Sequence, residues 1–286
     1  MIEIVVPTLA YEDVGNVLAE GLAALGMPSR LTPRPSGADA VIVLGPHWLD
    51  ESGWALLPGT AILYNLDPLG PHALTLSPQT VGSFARHRVW DYSCRNGAYW
   101  RRQGMTAVTR VPIGYAPSLR RASIVHAGED GEDLDVLFYG SLSPRRVALI
   151  ERMRNDGLQI VVRTALWGQE RDRLVARAKV IVHCHYTDGP AVFEMARMAY
   201  LLANQKAVVA EVGPLTEIDD DMRPGVLGVP YPAIPAAARW LLSHQAERRA
   251  LGRRAFSLIA RRPESAILAR VFGGTLPFPE APLRSS

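Results

Sequence analysis

Residues 135–146 contain the residue types and spacing that best suit the binding of a phosphate group. Residues 135–139, which are apolar after Asp135, predict a buried strand, and Gly140 and Ser141 follow directly. Ser143 and Pro144 then have the residue types that are preferred at the N-cap and at the first position of a helix. The unpaired backbone N–H groups and the positive end of such a helix attract anions, so this loop is a candidate phosphate site.

Two arginines, Arg145 and Arg146, follow at the start of the predicted helix. Either guanidinium can add a bidentate contact to a phosphate. A tight turn, a helix cap and two solvated arginines explain the same segment equally well, so the loop alone leaves both interpretations open.

The surrounding sequence alternates short apolar runs with helical patterns, and this alternation predicts an α/β fold with two Rossmann-like domains. Runs that are apolar on both faces are typical of parallel sheets covered by helices on each side. The predicted strands are residues 2–6, 40–44, 61–66, 89–92, 107–111, 135–139, 159–164, 180–185, 207–211 and 226–229. The predicted helices are residues 11–25, 96–103, 144–155, 170–178, 192–203 and 233–272, the last broken near Pro263.

The polar, acidic stretch 117–134 predicts a linker between an N-terminal domain of residues 1–116 and a C-terminal domain of residues 135–286. In open parallel sheets, ligands bind at the carboxyl ends of the strands. His47, Asp67 and His72 lie in loops after strands of the first domain, where an acceptor and a general base are expected. The sequence does not choose among these three residues.

Composition limits the classes of partner. The chain has 286 residues, a net charge of +3 and a pI of about 9.0, and its aromatic residues do not alternate with arginines as on a base-stacking surface. We therefore expect no nucleic-acid partner. Apolar runs are shorter than the roughly 18 residues that a membrane-spanning helix needs. Arginines at 248, 249, 253, 254, 261 and 262 predict a solvated basic face, with peripheral contact to anionic lipid as the alternative.

The N-terminal residues and the cysteines favour a cytoplasmic protein. Residues 2–6 predict a strand without the basic region of a signal peptide. Cys94 and Cys184 are far apart in apolar or aromatic segments, so we expect buried thiols and no disulfide.

Common catalytic motifs are missing from the sequence. It contains no Gly-x-Gly-x-x-Gly fingerprint, no P-loop and no Gly-x-Ser-x-Gly elbow, which disfavours a dehydrogenase, an NTPase or a hydrolase. Residues 219–221 are three aspartates in a polar loop without a partner cluster, so we interpret them as a solvated turn and predict no metal site.

Several segments together resemble bacterial GT-B glycosyltransferase-like proteins, in the group related to spore-maturation-type glycosyltransferases. The similarity is dense over residues 89–211 and thin before residue 89. It rests on residues 135–146, 168–180, 183–204, 207–211, 89–96 and 111–115.

The resemblance implies two Rossmann-like domains that face a cleft. It implies a nucleotide-sugar donor bound mainly to the C-terminal domain and an acceptor, whether glycan, protein or lipid-linked, toward the N-terminal one. No cofactor or metal is implied, because helix termini and basic side chains neutralise the pyrophosphate. The chain is thus predicted to be a glycosyltransferase. The alternative is a non-catalytic nucleotide- or glycan-binding protein that retains the fold.

Glu194 stands near the position of a paired glutamate motif that many of these enzymes carry, with seven residues between the two glutamates. The second position, counted from Glu194, is Leu202, so the pair is incomplete. We predict that Glu194 contacts the sugar or the ribose from the start of its helix. Arg197 shares the same helix face, and a surface ion pair is the alternative for both.

His183 and His185 share one face of a predicted strand. We expect one imidazole to be packed and the other, with Tyr186, to face the cleft. The resemblance suggests nucleobase binding near Trp167 and Gly168, with a core tryptophan as the alternative. The predicted site therefore comprises the catalytic residues Glu194 and His185 and the donor-binding residues Gly140, Ser141, Arg145, Arg146, Trp167, Gly168, Tyr186 and Arg197, with no metal ligand.

Overall fold

The structure is a computed structural model of the chain, and it describes residues 1–71, 73–125 and 131–273. His72, residues 126–130 of the predicted linker and residues 274–286 of the predicted second domain lie outside these described residues. The described residues form two units. The first contains Met1–Asp67, Thr75–Ala116 and the chain from Pro263 onward, and the second contains Pro68–Leu74 and Pro117–Arg262.

Strands and helices alternate in both units, as the sequence predicts. The strands are β1 (Ile2–Val5), β2 (Ser29–Thr32), β3 (Val41–Leu44), β4 (Ile62–Asn65), β5 (Arg88–Asp91), β6 (Val108–Arg110), β7 (Leu134–Tyr139), β8 (Ile160–Arg163), β9 (Ala178–His183), β10 (Ala191–Val192), β11 (Ala207–Glu211), β12 (Thr216–Glu217) and β13 (Leu227–Val229). The helices are α1 (Glu12–Ala24), α2 (Glu51–Ala55), α3 (Pro78–Phe84), α4 (Cys94–Arg102), α5 (Ala122–Val125), α6 (Pro144–Asn155), α7 (Gly168–Arg177), α8 (Met195–Ala203), α9 (Ile234–Ser243), α10 (Gln245–Ile259) and α11 (Glu264–Phe272).

The first unit is built on a six-stranded parallel sheet in the order β2-β1-β3-β4-β5-β6. All residues of β1, β3 and β4 are buried, as expected for strands that are covered on both faces. The sequence did not reveal β2, because this edge strand consists of the half-exposed, mostly polar residues Ser-Arg-Leu-Thr and has no apolar run. The short helices α2 and α3 were also missed.

The second unit is built on a five-stranded parallel sheet in the order β13-β11-β9-β7-β8, beside the two-stranded pair β10 and β12. Its core joins inward residues of the strands, such as Val136 and Val180, to apolar residues of α6 and α9, such as Met153 and Leu241. The predicted helix at 233–272 is three helices, with breaks at His244 and at Pro263.

The strand order reverses once in each sheet, and this places the candidate ligand sites. In the first sheet the chain moves from β1 to β2 on one side and then to β3 on the other. In the second sheet β8 and β9 flank β7 in the same way. Open α/β sheets bind ligands at the carboxyl ends of the strands beside such a reversal. The fold therefore places candidate ligand sites at the loops after β1 and β3 and at the loops after β7 and β9.

The C-terminal helix α11 belongs to the first unit, although the sequence placed residues 135–286 in one domain. Pro263 ends the helical pattern, and the chain then pairs with the segment before residue 117. The Glu264 N–H donates to the Tyr115 carbonyl at 2.9 Å, and the Gly114 N–H donates to the Glu264 carboxylate at 2.8 Å. Apolar residues of α11 pack against α1, which gives this helix its place.

The first part of the predicted linker is folded in the second unit. Residues 117–125 form a 3-10 turn and α5, and Asn204 fixes them. The Asn204 amide donates to the Leu119 carbonyl at 2.7 Å and its oxygen accepts the Arg121 N–H at 2.7 Å. Because Asn204 is 2% exposed, these contacts satisfy a buried amide.

The two cysteines differ in burial. Cys184 is buried, and burial raises the pKa of its thiol to about 11. Cys94 is exposed at the start of α4, so the expectation that it is buried is wrong. Aromatic neighbours gave the misleading signal, since the buried face of α4 is formed by Tyr99 and Trp100 instead. No helix among the described residues has the length and apolar character that a bilayer crossing requires.

Gly21 allows α1 and α11 to pack closely. A Cβ atom there would lie 2.8 Å from Cγ of Glu264 and 2.9 Å from Cδ1 of Leu268. We expect Gly21→Ala to lower the free energy of unfolding by about 1–3 kcal/mol through overpacking. Gly82→Ala in α3 is the matched control, because a Cβ there meets no heavy atom within 4 Å. It should stabilise the protein by up to about 1 kcal/mol through helix propensity. Urea denaturation of both variants checks this, and equal midpoints would contradict the packing argument.

Candidate functional site

The candidate site of the second unit lies at the C-terminal ends of β7 and β9. Gly140 follows β7 with a φ of +136°, and a Cβ atom there would lie 2.7 Å from Nη1 of Arg197. That same nitrogen donates to the Tyr139 carbonyl at 2.7 Å. Glycine is therefore required here, both by the backbone conformation and by the approach of the guanidinium.

Arg146 is buried, and its guanidinium joins the loop after β7 to the end of β9. It donates to the Cys184 carbonyl from Nε at 3.0 Å and from Nη2 at 2.8 Å, and to the Ser141 carbonyl at 2.9 Å. Nη2 also lies 3.2 Å from Oε1 of Glu194. The Arg146 N–H donates to Oγ of Ser143, which caps α6 as the sequence predicts. Arg146 is thus already bound on several sides by protein acceptors.

Arg145 is bound by two carboxylates, those of Glu211 and Asp188. Its two terminal nitrogens lie 2.6 and 2.7 Å from the Glu211 carboxylate, its Nε donates to Asp188, and its guanidinium lies 3.7 Å from the centre of the Tyr231 ring. The side chain is 12% exposed. The bidentate contact that the sequence assigns to a phosphate is made here with Glu211.

Glu194 immediately precedes α8, and its carboxylate is shared by two arginines. Oε2 accepts from Nη2 of Arg197 at 2.9 Å, while Oε1 faces Arg146. Burial favours the neutral acid, but Arg197, His183 and Arg146 outweigh it and lower the pKa of Glu194 to about 2. With this pKa the carboxylate is ionised at neutral pH, and because its side chain is 28% exposed, it is still open to a ligand.

Both histidines of this edge are buried, so the expectation that one of them is open is wrong for His185. The chain leaves the strand after His183 and turns His185 inward, where its Nε2 lies 3.2 Å from Oγ1 of Thr216. Nδ1 of His183 accepts from Nη2 of Arg197 at 2.6 Å. Burial lowers the pKa of both imidazoles, and for His183 the fall is large. Tyr186 is 48% exposed, as expected.

The remaining predicted residues lie along the same edge of the sheet. The Arg146 guanidinium lies 5.4 Å from the centre of the Tyr186 ring. Trp167 is 39% exposed and lies at the start of α7, after the edge strand β8, and Gly168 with a φ of +57° begins that helix. A core tryptophan, the alternative left open by the sequence, does not agree with this exposure.

Sequence reasoning missed the acidic partners of this edge. Glu211 ends β11 and accepts the His185 N–H at 2.9 Å as well as Arg145, and Asp188 adds a third carboxylate to the edge beside Glu194 and Glu211. A polar residue at the end of an apolar strand was the available signal for Glu211. Leu202, the second position of the incomplete motif, is fully buried in α8.

Two of the three aspartates at 219–221 pair with an arginine. Asp219 lies 2.7 Å from Nη1 of Arg262, and Asp221 pairs with the same guanidinium. Within the described part of the chain, no three His, Cys, Asp or Glu side chains are arranged so that they could hold a metal ion.

The first unit contains a buried carboxylate at the end of β5. Asp91 accepts four N–H groups at 2.8–3.0 Å, from the side chains of Asn65, Asn96 and Trp100 and from the Ser93 backbone. Burial raises its pKa to about 7, although these donors favour the ionised form. Residues 89–96, one of the segments that resemble the glycosyltransferase-like proteins, thus fold around this carboxylate.

The Asp91 network positions a second, accessible carboxylate. The amides of Asn65 and Asn96 donate to the Asp67 carbonyl at 2.8 and 2.9 Å. Oδ2 of Asp67 accepts from the Tyr11 hydroxyl and lies 3.2 Å from Nε2 of His47. Two of the three candidates that the sequence left open therefore form one pair, at the carboxyl edge of the first sheet.

Comparison with known proteins gives partial sequence matches. No protein-family model matches the chain. Two uncharacterised proteins of Acanthamoeba polyphaga mimivirus are similar to parts of it. One is 27% identical over 133 residues, which cover 46% of this chain and 43% of the relative. The other is 31% identical over 97 residues, which cover 34% of this chain and 11% of the relative. The chain therefore spans less than half the length of the curated relatives it matches.

Solved structures match nearly the whole chain. HepE of Anabaena in complex with UDP and glucose has a TM-score of 0.61 and 10% identity, and covers 96% of this chain and 99% of its own. WaaG, a glycosyltransferase involved in lipopolysaccharide biosynthesis, has a TM-score of 0.58, 12% identity and coverage of 96% and 100%. AviGT4, a glycosyltransferase involved in avilamycin A biosynthesis, has a TM-score of 0.53, 18% identity and coverage of 94% and 91%.

At these identities the likeness concerns the fold. The predicted class is confirmed: the chain is an α/β protein with two parallel sheets, like the GT-B glycosyltransferases that it matches. The narrower grouping with spore-maturation-type enzymes stays a prediction.

The buried His183 gives a pH test of this edge. Its native pKa is well below that of the unfolded chain, so only the unfolded state takes up a proton as the pH falls through about 6.5. The stability advantage of wild type over His183→Gln should therefore shrink by about 1.4 kcal/mol between pH 7.5 and 5.5. Phe193→Leu, beside the same ring, removes packing but no titratable group. The difference in free energy of unfolding between Phe193→Leu and wild type should stay constant over this pH range. A constant difference for His183→Gln as well would contradict the neutral, buried imidazole.

Proposed function

We propose that this chain transfers a sugar from a nucleotide-sugar donor to an acceptor without a metal ion, and that the donor binds at the C-terminal edge of the second unit. The observation that carries the proposal is the cluster of Arg146, Arg197 and Glu194 beside the strand-order reversal of a fold of the GT-B type. The structural similarity to HepE, which was solved in complex with UDP and glucose, supports a nucleotide-sugar donor.

The pyrophosphate is assigned to the loop of Gly140 and Ser141 and to the first turn of α6. The side chains of this edge contribute three guanidiniums, from Arg145, Arg146 and Arg197, and three carboxylates, so they leave no net charge. The attraction for a diphosphate then comes from backbone N–H groups and the positive end of α6. Arg145 acts by neutralising carboxylates that would otherwise repel the phosphates.

Glu194 is assigned to binding hydroxyl groups of the ribose or the sugar. A carboxylate with a pKa of about 2 accepts hydrogen bonds well, but it is a weak general base at neutral pH. We therefore assign to Glu194 the positioning of the donor, and we assign it no proton transfer. Trp167 and Gly168 stay candidates for nucleobase contacts. The His185 ring is buried against Thr216, so we assign it no contact with the donor.

A non-catalytic nucleotide- or glycan-binding protein is the second candidate. It is favoured by the missing second glutamate, since Leu202 is fully buried. Incubation with a panel of UDP-, GDP-, ADP- and dTDP-sugars in EDTA separates the two candidates. Release of the nucleoside diphosphate supports the transferase, whereas saturable binding of the nucleotide without any release supports the binding protein.

Substitutions at the edge test the assignment of the donor site. Arg145→Ala leaves Glu211 and Asp188 unpaired, so we expect UDP to bind at least about ten-fold more weakly, roughly 1.4 kcal/mol. Glu194→Gln should lower turnover by about 100-fold, or roughly 2.7 kcal/mol, through loss of a charged contact in the transition state. Arg154→Ala and Glu151→Gln, which change exposed residues of the same helix α6, are the matched controls.

Calorimetric titration with UDP and initial rates measure these effects, and thermal unfolding confirms that each variant folds. If Arg145→Ala and Glu194→Gln bind and turn over as their controls do, the donor site lies elsewhere on the chain.

A further inference from the structure

The carboxyl edge of the first sheet combines three polar side chains from three adjacent strand ends. Tyr11, His47 and Asp67 follow β1, β3 and β4, and the first two converge on Oδ2 of Asp67. Tyr11 reaches this oxygen because Gly45 lies beneath its ring, where a Cβ atom would be 2.3 Å from Cε2. A glycine at position 45 thus leaves room for the Tyr11 ring in this cluster.

Asp67 is held in place and remains accessible. Its side chain is 31% exposed, while its carbonyl is fixed by the two amides that also bind the buried Asp91. Burial lowers the pKa of His47, which favours its neutral imidazole, and Nε2 of this ring lies 3.2 Å from Oδ2 of Asp67. A buried network thereby holds a partly exposed carboxyl group in a fixed position.

Large apolar side chains flank the cluster. Trp48 is 60% exposed, and its ring centre lies 5.6 Å from that of the neighbouring His47. Leu9 is 62% exposed in the turn after β1. An exposed indole next to a fixed carboxylate suits a ligand that has an apolar face and hydroxyl edges. A pyranose ring has both, because its C–H face stacks on an aromatic ring while its hydroxyls donate to carboxylate oxygens.

We propose that Trp48 and Asp67 form a saccharide-binding subsite on the first unit, with His47 and Tyr11 positioning the carboxylate. This deepens the proposed function by naming a sugar as the acceptor class, and its use in catalysis rests on that function. Saccharide binding itself does not depend on transfer, so the two can fail separately.

Saturation-transfer NMR on the full chain, without nucleotide, tests the subsite. The probes are the methyl pyranosides of glucose, galactose, mannose and N-acetylglucosamine. We expect saturation of ring C–H protons for at least one probe, with affinity about ten-fold weaker in Trp48→Ala and in Asp67→Asn. Trp240→Ala is the matched control, because it removes an exposed tryptophan of the second unit and should leave the affinity unchanged.

Three results would overturn the subsite. These are no saturation transfer from any probe, equal affinity in wild type and Trp48→Ala, and Trp48-dependent binding to phosphatidylglycerol vesicles without sugar binding, which would assign the apolar side chains to a lipid surface. UDP titration of the same samples keeps the donor question separate. A variant that loses sugar binding but keeps UDP binding is impaired in this subsite alone.

Discussion

The buried guanidinium of Arg146 is the interaction on which the edge of the second sheet depends. It binds the carbonyl where β9 has ended, the carbonyl of the loop after β7 and the carboxylate that precedes α8. Three chain segments that are separated in sequence are thereby fixed by one side chain. A shorter residue at position 146 would leave the Cys184 carbonyl without its two donors and would remove one of the two arginines that face Glu194. An unsatisfied buried polar group costs about 1–3 kcal/mol.

The same contacts restrict how a phosphate could bind. Each arginine of this edge already faces a carboxylate or a carbonyl, so a ligand must share these guanidiniums with protein groups. Such pairing holds long side chains in one conformation before a ligand arrives, which reduces the entropy lost on binding. It also removes the net charge that would bring any anion to the site. Selectivity would then come from the geometry of the loop around Gly140 and of the first turn of α6.

The first unit fixes its loops with a buried carboxyl group. Asp91 accepts hydrogen bonds from several N–H donors, whereas Arg146 is a cation that donates to several acceptors. Both are buried beside strand ends. Arg146 holds loops next to the reversal of strand order in the second sheet, whereas Asp91 ends β5, two strands away from β3 in the first sheet. The amides of Asn65 and Asn96 extend the Asp91 network outward to Asp67. In both units a buried ionisable group therefore fixes the conformation of loops that carry more accessible polar side chains.

The sequence by itself determined the local features of this protein. Apolar runs predicted nearly all the central strands, and Ser143 and Pro144 predicted the start of α6, because burial on both faces and helix capping depend on neighbouring residues. The tertiary structure decided which charged groups meet. Arg145 and Glu211 are 66 residues apart, and they pair only because β7, β9 and β11 are adjacent in the sheet. Strand order is a long-range property. The packing of α11 on α1 and the contact of the His185 ring with Thr216 also join residues that are far apart in sequence, so a local pattern does not encode them.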